Sequence, residues 1–422
     1  MRHFQHLILG TGQATGTLLG DFLPTGDSVA VIEGDRIGGT CVNTGCTPTK
    51  ALVASAKVAR MVRRAPEYGI RPKEVEIDFA AVRARMNAIR DNTGMVSWIS
   101  SAENVSLFED WGRFEGPRQI RVGDESITAD RIYINAGARP RVPEIPGLET
   151  VPWLDHSRLL ELTEVPEHLI ILGGSYIGLE FSQIFRRFGA QVTVIEAAPQ
   201  LVFREDADVA VTIVQGGEER LITGSHLLVA VGRVPNSDRL NVEAAGIALD
   251  ERDYIEVDDL CQTSVKGVFG LGDINGHGAF THTSVNDAEI VLDQMRGGTR
   301  KLSDRIHGYG LFIDPPLGRV GMTEGEAVAK GHKVLKATRP MSRISRAKEM
   351  GETLGFAELL VDGDTDQILG AAILGPGGDE IVNMFAAFMY SGLPCTDCRR
   401  SVLVHPTVSE LMPWILDTLK PA

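Results

Sequence analysis

Residues 7–16, LILGTGQATG, run on to VAVIE at residues 29–33, and residues 169–178, LIILGGSYIG, run on to VTVIE at residues 192–196. Each passage reads as strand, glycine turn, helix, strand and terminal acid. This is the βαβ pattern that holds a dinucleotide, with glycines letting the backbone approach a pyrophosphate at a helix N-terminus and the acid taking ribose hydroxyls. The spacing is the same in both copies, since Gly10 to Glu33 and Gly173 to Glu196 each span 23 residues. One fold unit has been used twice. In the first copy Gly10 and Gly12 are present and Thr15 takes the third glycine position, which calls the tight helix-to-strand packing into question. In the second, Gly173 and Gly178 hold the outer positions and Ser175, small enough to keep a phosphate close, replaces the middle glycine. Glu196 would accept a ribose 2′-hydroxyl and repel a 2′-phosphate, which favours NADH over NADPH.

Between the copies, GGTCVNTGCTPTK at residues 38–50 places Cys41 and Cys46 just before a helix expected to start near Pro48. Five residues along a continuous helix would hold two Cα atoms beyond the roughly 7 Å that a disulfide spans. The pair is therefore expected on an irregular turn, for which Gly39 and Gly45 supply backbone freedom, with a helix N-terminus lowering the thiolate pKa. That describes a reactive pair; the alternative is two buried free cysteines.

The chain has 422 residues, 43% hydrophobic and 23% charged, enough for two or three domains with real cores. Its 42 Lys and Arg against 56 Asp and Glu give a net charge of -14, which repels a phosphate polymer and argues against nucleic acid as a partner. No apolar run approaches the ~18 residues of a membrane span. MRHFQHLILG lacks a long apolar stretch or a cleavage site, so a cytoplasmic protein without membrane contact is expected. Residues 51–64 and 79–91 read as helices, and residues 112–134 as short strands. Beyond residue 300, LFIDPPLGRVGMT, GFAELLVD and ILGAAILG read as strands and EIVNMFAAFMYSG as a helix, together an α+β domain. SRISRAKEMGET, residues 342–353, reads as a solvated loop or a binding patch.

GGTCVNTGCTPTK, NAGARP, GGSYIGLE, AVGRVPN, GLGDINGHGAFTH and HPTVSE stand in that order along nearly the whole chain. Together they resemble the FAD-dependent pyridine nucleotide-disulfide oxidoreductases, the family of glutathione reductase, dihydrolipoamide dehydrogenase and mercuric reductase. The wording of GDINGHGAFTHTS, DPPLGRVGMTE and SRAKEMGETLGF is most similar to the mercuric-reductase-like branch. The resemblance implies an α/β fold with two Rossmann-like dinucleotide-binding domains, for FAD and NAD, plus a C-terminal α+β dimerisation domain. The expected parts are residues 1–150 and 235–305 for FAD, 151–234 for a shortened NAD(P) domain and 306–422 for the dimer interface.

It further implies FAD on Gly10, Gly12, Glu33, Gly39, Thr40, Ala136, Gly137 and Asp273, and the nicotinamide nucleotide on Gly173, Ser175, Tyr176, Gly178, Glu196, Gly232 and Arg233. Cys46 would be the thiol against the flavin and Cys41 the thiol that meets the acceptor. Lys50 would lie near flavin N5, paired with Glu180, and Tyr176 would resemble the aromatic gate over the flavin. His405, oriented by Glu410, would be the acid/base serving Cys41 of the partner in a homodimer. Electrons would pass from NADH or NADPH through the flavin and the Cys41/Cys46 disulfide to a disulfide or a soft-metal acceptor, with no resident metal. The alternatives are a dihydrolipoamide-dehydrogenase-like enzyme, an NADH diaphorase, or a flavin-binding protein that no longer turns over.

The last alternative has a specific motive. Only 36 residues separate Glu196 from Gly232, so the nicotinamide domain has lost about one βα unit, with a hairpin expected in its place. LMPWILDTLKPA carries no vicinal cysteine pair, unlike authentic mercuric reductases. Cys395 and Cys398 form CTDC, readable as an electron relay, a soft-metal pair or a plain helix turn, and Cys261 as a buried small hydrophobe. His282 is expected near the flavin or as a packing or capping residue.

Overall fold

The computed structural model describes residues 1–91, 94–198, 200–202 and 222–422. The hairpin expected between Glu196 and Gly232 falls largely on residues 203–221 and lies outside the described residues. The chain divides into two compact units, the first of residues 1–52, 78–164 and 229–305, the second of residues 53–77, 165–228 and 306–422.

In the first unit, strand Arg2–Leu9 is flanked by parallel strands Val29–Ile32 and Glu125–Ile134, and Val105–Phe108 extends the sheet beyond Val29–Ile32. Gln119–Val122 and Gly112–Gly116 continue antiparallel from Glu125–Ile134, which also pairs in parallel with Val268–Gly270. A strand covered on both faces must be apolar on both, and its side chains then alternate between two cores. So Leu7 and Leu9 enter one cluster with Ile120 and Ile132, while Ile8 enters another with Leu18, Phe22 and Val31. The helix after the glycine turn, Ala14–Phe22, buries Leu18, Leu19 and Phe22 on the second of these faces.

The second unit repeats the motif with strands His168–Leu172 and Gln191–Ile195 in parallel and helix Tyr176–Phe188 between them; His226–Val229 borders His168–Leu172. It also holds a six-stranded sheet in the order Gly308–Leu311, Leu317–Gly321, Ile368–Leu374, Phe356–Asp362, Val334–Pro340 and Lys420–Pro421. Neighbours there are antiparallel, and helix Gly378–Ser391 presents Val382 and Phe385 to the core of that sheet. The charged segment 342–353 is not the loop expected of it. It forms a short helix, Ser345–Glu349, because Ile344 and Ala347, three residues apart, are buried in the same core.

The two glycine turns obey one steric rule. A Cβ on Gly10 would stand 2.5 Å from the Asn135 carbonyl oxygen, and one on Gly178 would stand 2.0 Å from that of Gly173. Thr15 sits fully buried at the corresponding position of the first copy, its hydroxyl donating to the Gly10 carbonyl at 3.1 Å and accepting from Asn135 Nδ2 at 3.1 Å. The tight packing that Thr15 called into question is kept, with a hydroxyl bridge where a third glycine would leave bare backbone.

Gly178→Ala forces a methyl into backbone, and overpacking of this kind costs about 1 to 3 kcal/mol. The expected result is a lower urea midpoint for the variant; a midpoint equal to the parent's would refute the close approach.

Candidate active site

Cys41 stands in the short helix Gly39–Asn43, and Cys46 opens the next helix, Cys46–Arg64. Thr44, with ψ near 6° at the first helix's C-terminus, interrupts the two, so the pair occupies the irregular turn its spacing demands. Both are free thiols. Asn43 staples the turn by donating from Nδ2 to the carbonyls of Ile37 and Gly39, each at 3.0 Å. Gly39, at φ 63°, lets the loop lie against the first glycine turn, where an added Cβ would come 3.1 Å from Gly12 Cα.

The Thr281 hydroxyl donates to Cys41 Sγ at 3.0 Å and lies 3.5 Å from Cys46 Sγ. The two thiols also share a hydrogen bond, which makes them unequal. Cys46 is lowered to about 6, chiefly by the hydrogen bond from Cys41, then by Thr281 and by the charge of Lys50, against a partial cost of desolvation. Lys50 lies one helical turn beyond Cys46 on the same face. Cys41 is pushed far up by the bond it gives to Cys46 and by burial. At neutral pH the reduced pair therefore holds a thiolate at Cys46 and the proton at Cys41.

Around the first glycine turn, Glu33 Oε2 accepts from the Thr11 amide at 2.8 Å and from its hydroxyl at 2.5 Å. The same hydroxyl accepts from the Gly38 amide at 2.9 Å, and Gln13 Nε2 donates to the Gly38 carbonyl at 3.0 Å. In the second unit Glu196 Oε2 accepts from the Gly174 amide at 2.7 Å, the counterpart of Glu33 on Thr11. Neither following helix has a side-chain cap, at Gln13 or at Ser175, so their first amides remain available for a phosphate. Two uncapped helix starts, glycines that admit no Cβ and an acid at each strand end fit a dinucleotide in each unit.

Asp273 is largely shielded and paired with Arg233 at 2.7 Å; desolvation pushes its carboxyl up, and the guanidinium opposes the shift. Asp287 fixes the loop beneath it by accepting from the Gly272 amide at 2.7 Å and Asn275 Nδ2 at 2.9 Å. Ala136 and Gly137 follow strand Glu125–Ile134 into the same region, and their carbonyls accept from Asn236 Nδ2 and its amide at 2.8 and 3.1 Å. Gly232 and Arg233, read as nicotinamide-binding, belong to this first unit. Strand Arg233–Pro235 pairs with Ala138–Pro140, and the Arg233 guanidinium faces Asp273. Thr40 lies beside Cys41 in the same short helix, where its carbonyl accepts from the Thr44 amide at 2.9 Å.

In the second unit, Tyr176 opens its helix with its ring 5.4 Å from that of Tyr309. Glu180 is buried and accepts from the Phe312 amide at 3.0 Å. His405 Nδ1 meets Glu410 Oε2 at 2.8 Å and Oε1 at 3.0 Å, and the imidazole is 74% exposed, with Nε2 directed away from that carboxylate. Cys395 and Cys398 share one face of helix Cys395–Arg400 and lie in the core; burial raises both thiols, Cys398 to about 11. Cys261 is likewise a buried free thiol raised by burial. Thr281, Asn135 and Asp287 are functional candidates that sequence reasoning missed. The signal for Thr281 was one residue away: His282, singled out instead, stacks on Phe280, and its neighbour faces the thiols.

Residues 4–212 and 202–288 match the family "Pyridine nucleotide-disulphide oxidoreductase", in two segments that overlap at 202–212, and residues 309–416 match its dimerisation domain. The chain is 34% identical to "Probable pyridine nucleotide-disulfide oxidoreductase RclA" of Escherichia coli (strain K12), with both chains covered completely in an alignment of 456 positions. It is 30% identical to the dihydrolipoyl dehydrogenase of Vibrio cholerae, over 96% of this chain and 93% of that one. It is 27% identical to the mercuric reductase of Bacillus cereus, over 96% of this chain and 70% of that one. Among solved structures, "Cu(II) complex of HOCl-induced flavoprotein disulfide reductase RclA from Escherichia coli" superposes with a TM-score of 0.88 at 33% identity, covering 99% of both chains.

In the reduced protein, alkylation of Cys46 should follow a single titration near pH 6 and be fully developed by pH 7.5. Thr281→Val and Lys50→Met each remove a stabiliser of the thiolate, so each should move that titration to higher pH. Profiles of iodoacetamide rate against pH that coincide with the parent's would discard this account of the thiolate.

Proposed function

The chain belongs to the pyridine nucleotide-disulphide oxidoreductase family, and from that premise we propose that it carries electrons from NADH to a disulfide or soft-metal acceptor through Cys41 and Cys46. It is a flavoenzyme that binds FAD and a nicotinamide nucleotide and carries the family's dimerisation domain. The observation that carries the proposal is the proton-sharing dithiol, with its thiolate held at Cys46 at the start of a helix. Bound FAD supplies the two-electron relay between nicotinamide and disulfide.

The chain's own residues do the remaining work. Glycines 10 and 12, with Glu33, Gly39, Thr40, Ala136, Gly137 and Asp273, hold the FAD. Gly173, Ser175, Gly178 and Glu196 hold the nicotinamide nucleotide, with Tyr176 gating its approach, and the Glu196 carboxylate selects against a 2′-phosphate. Arg233 holds Asp273 in the first unit, and Lys50 stabilises the Cys46 thiolate. Cys41, deprotonated by His405, attacks one sulfur of the acceptor disulfide; the leaving thiolate takes the proton from His405. Cys46 then displaces the second thiolate from Cys41 and restores the Cys41/Cys46 disulfide, so two electrons leave with one thiol and one thiolate formed, the thiolate taking its proton from water. Glu410 orients the imidazole and stabilises its charged form.

The reading places His405 in the partner's site in a homodimer. Support comes from the exposure of the imidazole and of the apolar residues near it in sequence: Val402 is fully exposed and Val404 76% exposed, which suits an interface. A soft metal ion as acceptor has separate support in the copper-bound relative, because a thiolate such as that at Cys46 is a ligand that reduced copper prefers. The thiols at Cys261, Cys395 and Cys398 are free, as suits the reducing cytoplasm.

Two measurements test this. NADH oxidation with Cu(II), Hg(II), oxidised lipoamide and oxidised glutathione, compared between parent and Cys41→Ser, identifies the acceptor; equal turnover of the two proteins with every acceptor would sink the dithiol route. His405→Gln should lower acceptor turnover by about 10²- to 10⁴-fold. Co-expressed Cys41→Ser and His405→Gln subunits should recover roughly a quarter of parental activity through heterodimers with one intact site. No recovery would place His405 with the Cys41 of its own subunit.

A further inference from the structure

Within the second unit, five arginines line one cleft of about 370 Å³: Arg60, Arg63 and Arg64 from the end of helix Cys46–Arg64, and Arg186 and Arg187 from the last turn of helix Tyr176–Phe188. Gly189 completes the wall. The inner guanidiniums are paired. Arg60 and Arg187 both hold Asp314, Arg64 holds Glu352 and the exposed Glu67, and Arg60 lies 3.5 Å from Glu352. The outer two are not. Arg63 donates one N–H to the Arg187 carbonyl and Arg186 one to the Ala190 carbonyl, and neither has a carboxylate partner among the described residues. Those bonds cap the end of helix Tyr176–Phe188 but leave both charges without a carboxylate among the described residues.

Among the described residues, three carboxylates against five guanidiniums leave two positive charges along the cleft, on a chain whose net charge is -14. A phosphate group at neutral pH carries between one and a half and two negative charges, about what the cluster lacks, and offers oxygens in several directions. A carboxylate would satisfy only one of the two outer forks, whereas the planar guanidinium is matched to phosphate oxygens. We propose that this cleft is a binding site for a phosphate group, either the free ion or the monoester of a small metabolite, distinct in its residues from both glycine turns.

The test is calorimetric titration of the FAD-loaded protein with inorganic phosphate, and in parallel with ribose 5-phosphate, at constant ionic strength with chloride as the control anion. Saturable binding is expected, weakened at least tenfold in Arg63→Gln/Arg186→Gln and several-fold in Arg186→Gln alone. Both residues are exposed, and the single variant keeps the measurement available if the double one folds poorly. Tighter binding of the ester assigns the remaining volume to its sugar, and tighter binding of inorganic phosphate assigns the site to the free ion. Absence of saturable binding, or affinity in the single and double variants within twofold of the parent's, overturns the proposal.

Discussion

The hydroxyl of Thr11 joins the two parts of the first unit on which its chemistry depends. It donates to Glu33 at the end of one strand and accepts from the Gly38 amide at the start of the dithiol loop. Glu33 is the acid that ends the first strand–turn–helix–strand repeat, and Gly38 lies three residues before Cys41. A single side chain thus ties the first glycine turn to the loop that carries Cys41 and Cys46. The loop can come so close only because Gly39 presents no side chain to Gly12, and Gly12 none to Asn135. The two hydrogen bonds are short and directional and the glycine contacts leave no slack between turn and loop, which is how a loop is held in a fixed position.

The asymmetry of the two cysteines follows from what surrounds them. Thr281 touches both sulfurs, but Lys50 and the helix start act on Cys46, and the proton between the thiols settles on Cys41. A symmetric environment would leave the thiolate divided between two positions and halve its availability at either. Burial has the opposite effect elsewhere: Cys395 and Cys398, with the spacing of a redox motif, lie in an apolar core that raises both thiols, and they behave as packing residues.

The two glycine turns show how one steric requirement admits different residues. In the second unit Gly178 must be glycine, because the Gly173 carbonyl occupies the place of its Cβ. In the first, Thr15 fills the same place and bonds the Gly10 carbonyl through its hydroxyl. The acids are used alike in both, with Glu33 and Glu196 each accepting from an amide of its own turn.

The sequence by itself determined the repeated strand, glycine turn, helix and acid and the irregular turn carrying Cys41 and Cys46, whereas the pairing of His405 with Glu410 came from the family resemblance and is present in the structure. The first two features are local: a few residues within reach of one another, whose spacing and backbone freedom leave one workable geometry. Thr281 beside the thiols, Asn135 under the glycines, Asp287 beneath Asp273 and Arg233 on Asp273 were decided only by the tertiary structure. Each is brought to its partner from more than ten residues away by the sheet and the helices around it. At the start of helix Thr281–Met295, adjacent residues point in different directions, so one position separates the hydroxyl that meets sulfur from the imidazole that stacks on Phe280. Periodicity marks where such a helix begins. The side chain that faces the site is chosen by what packs against it.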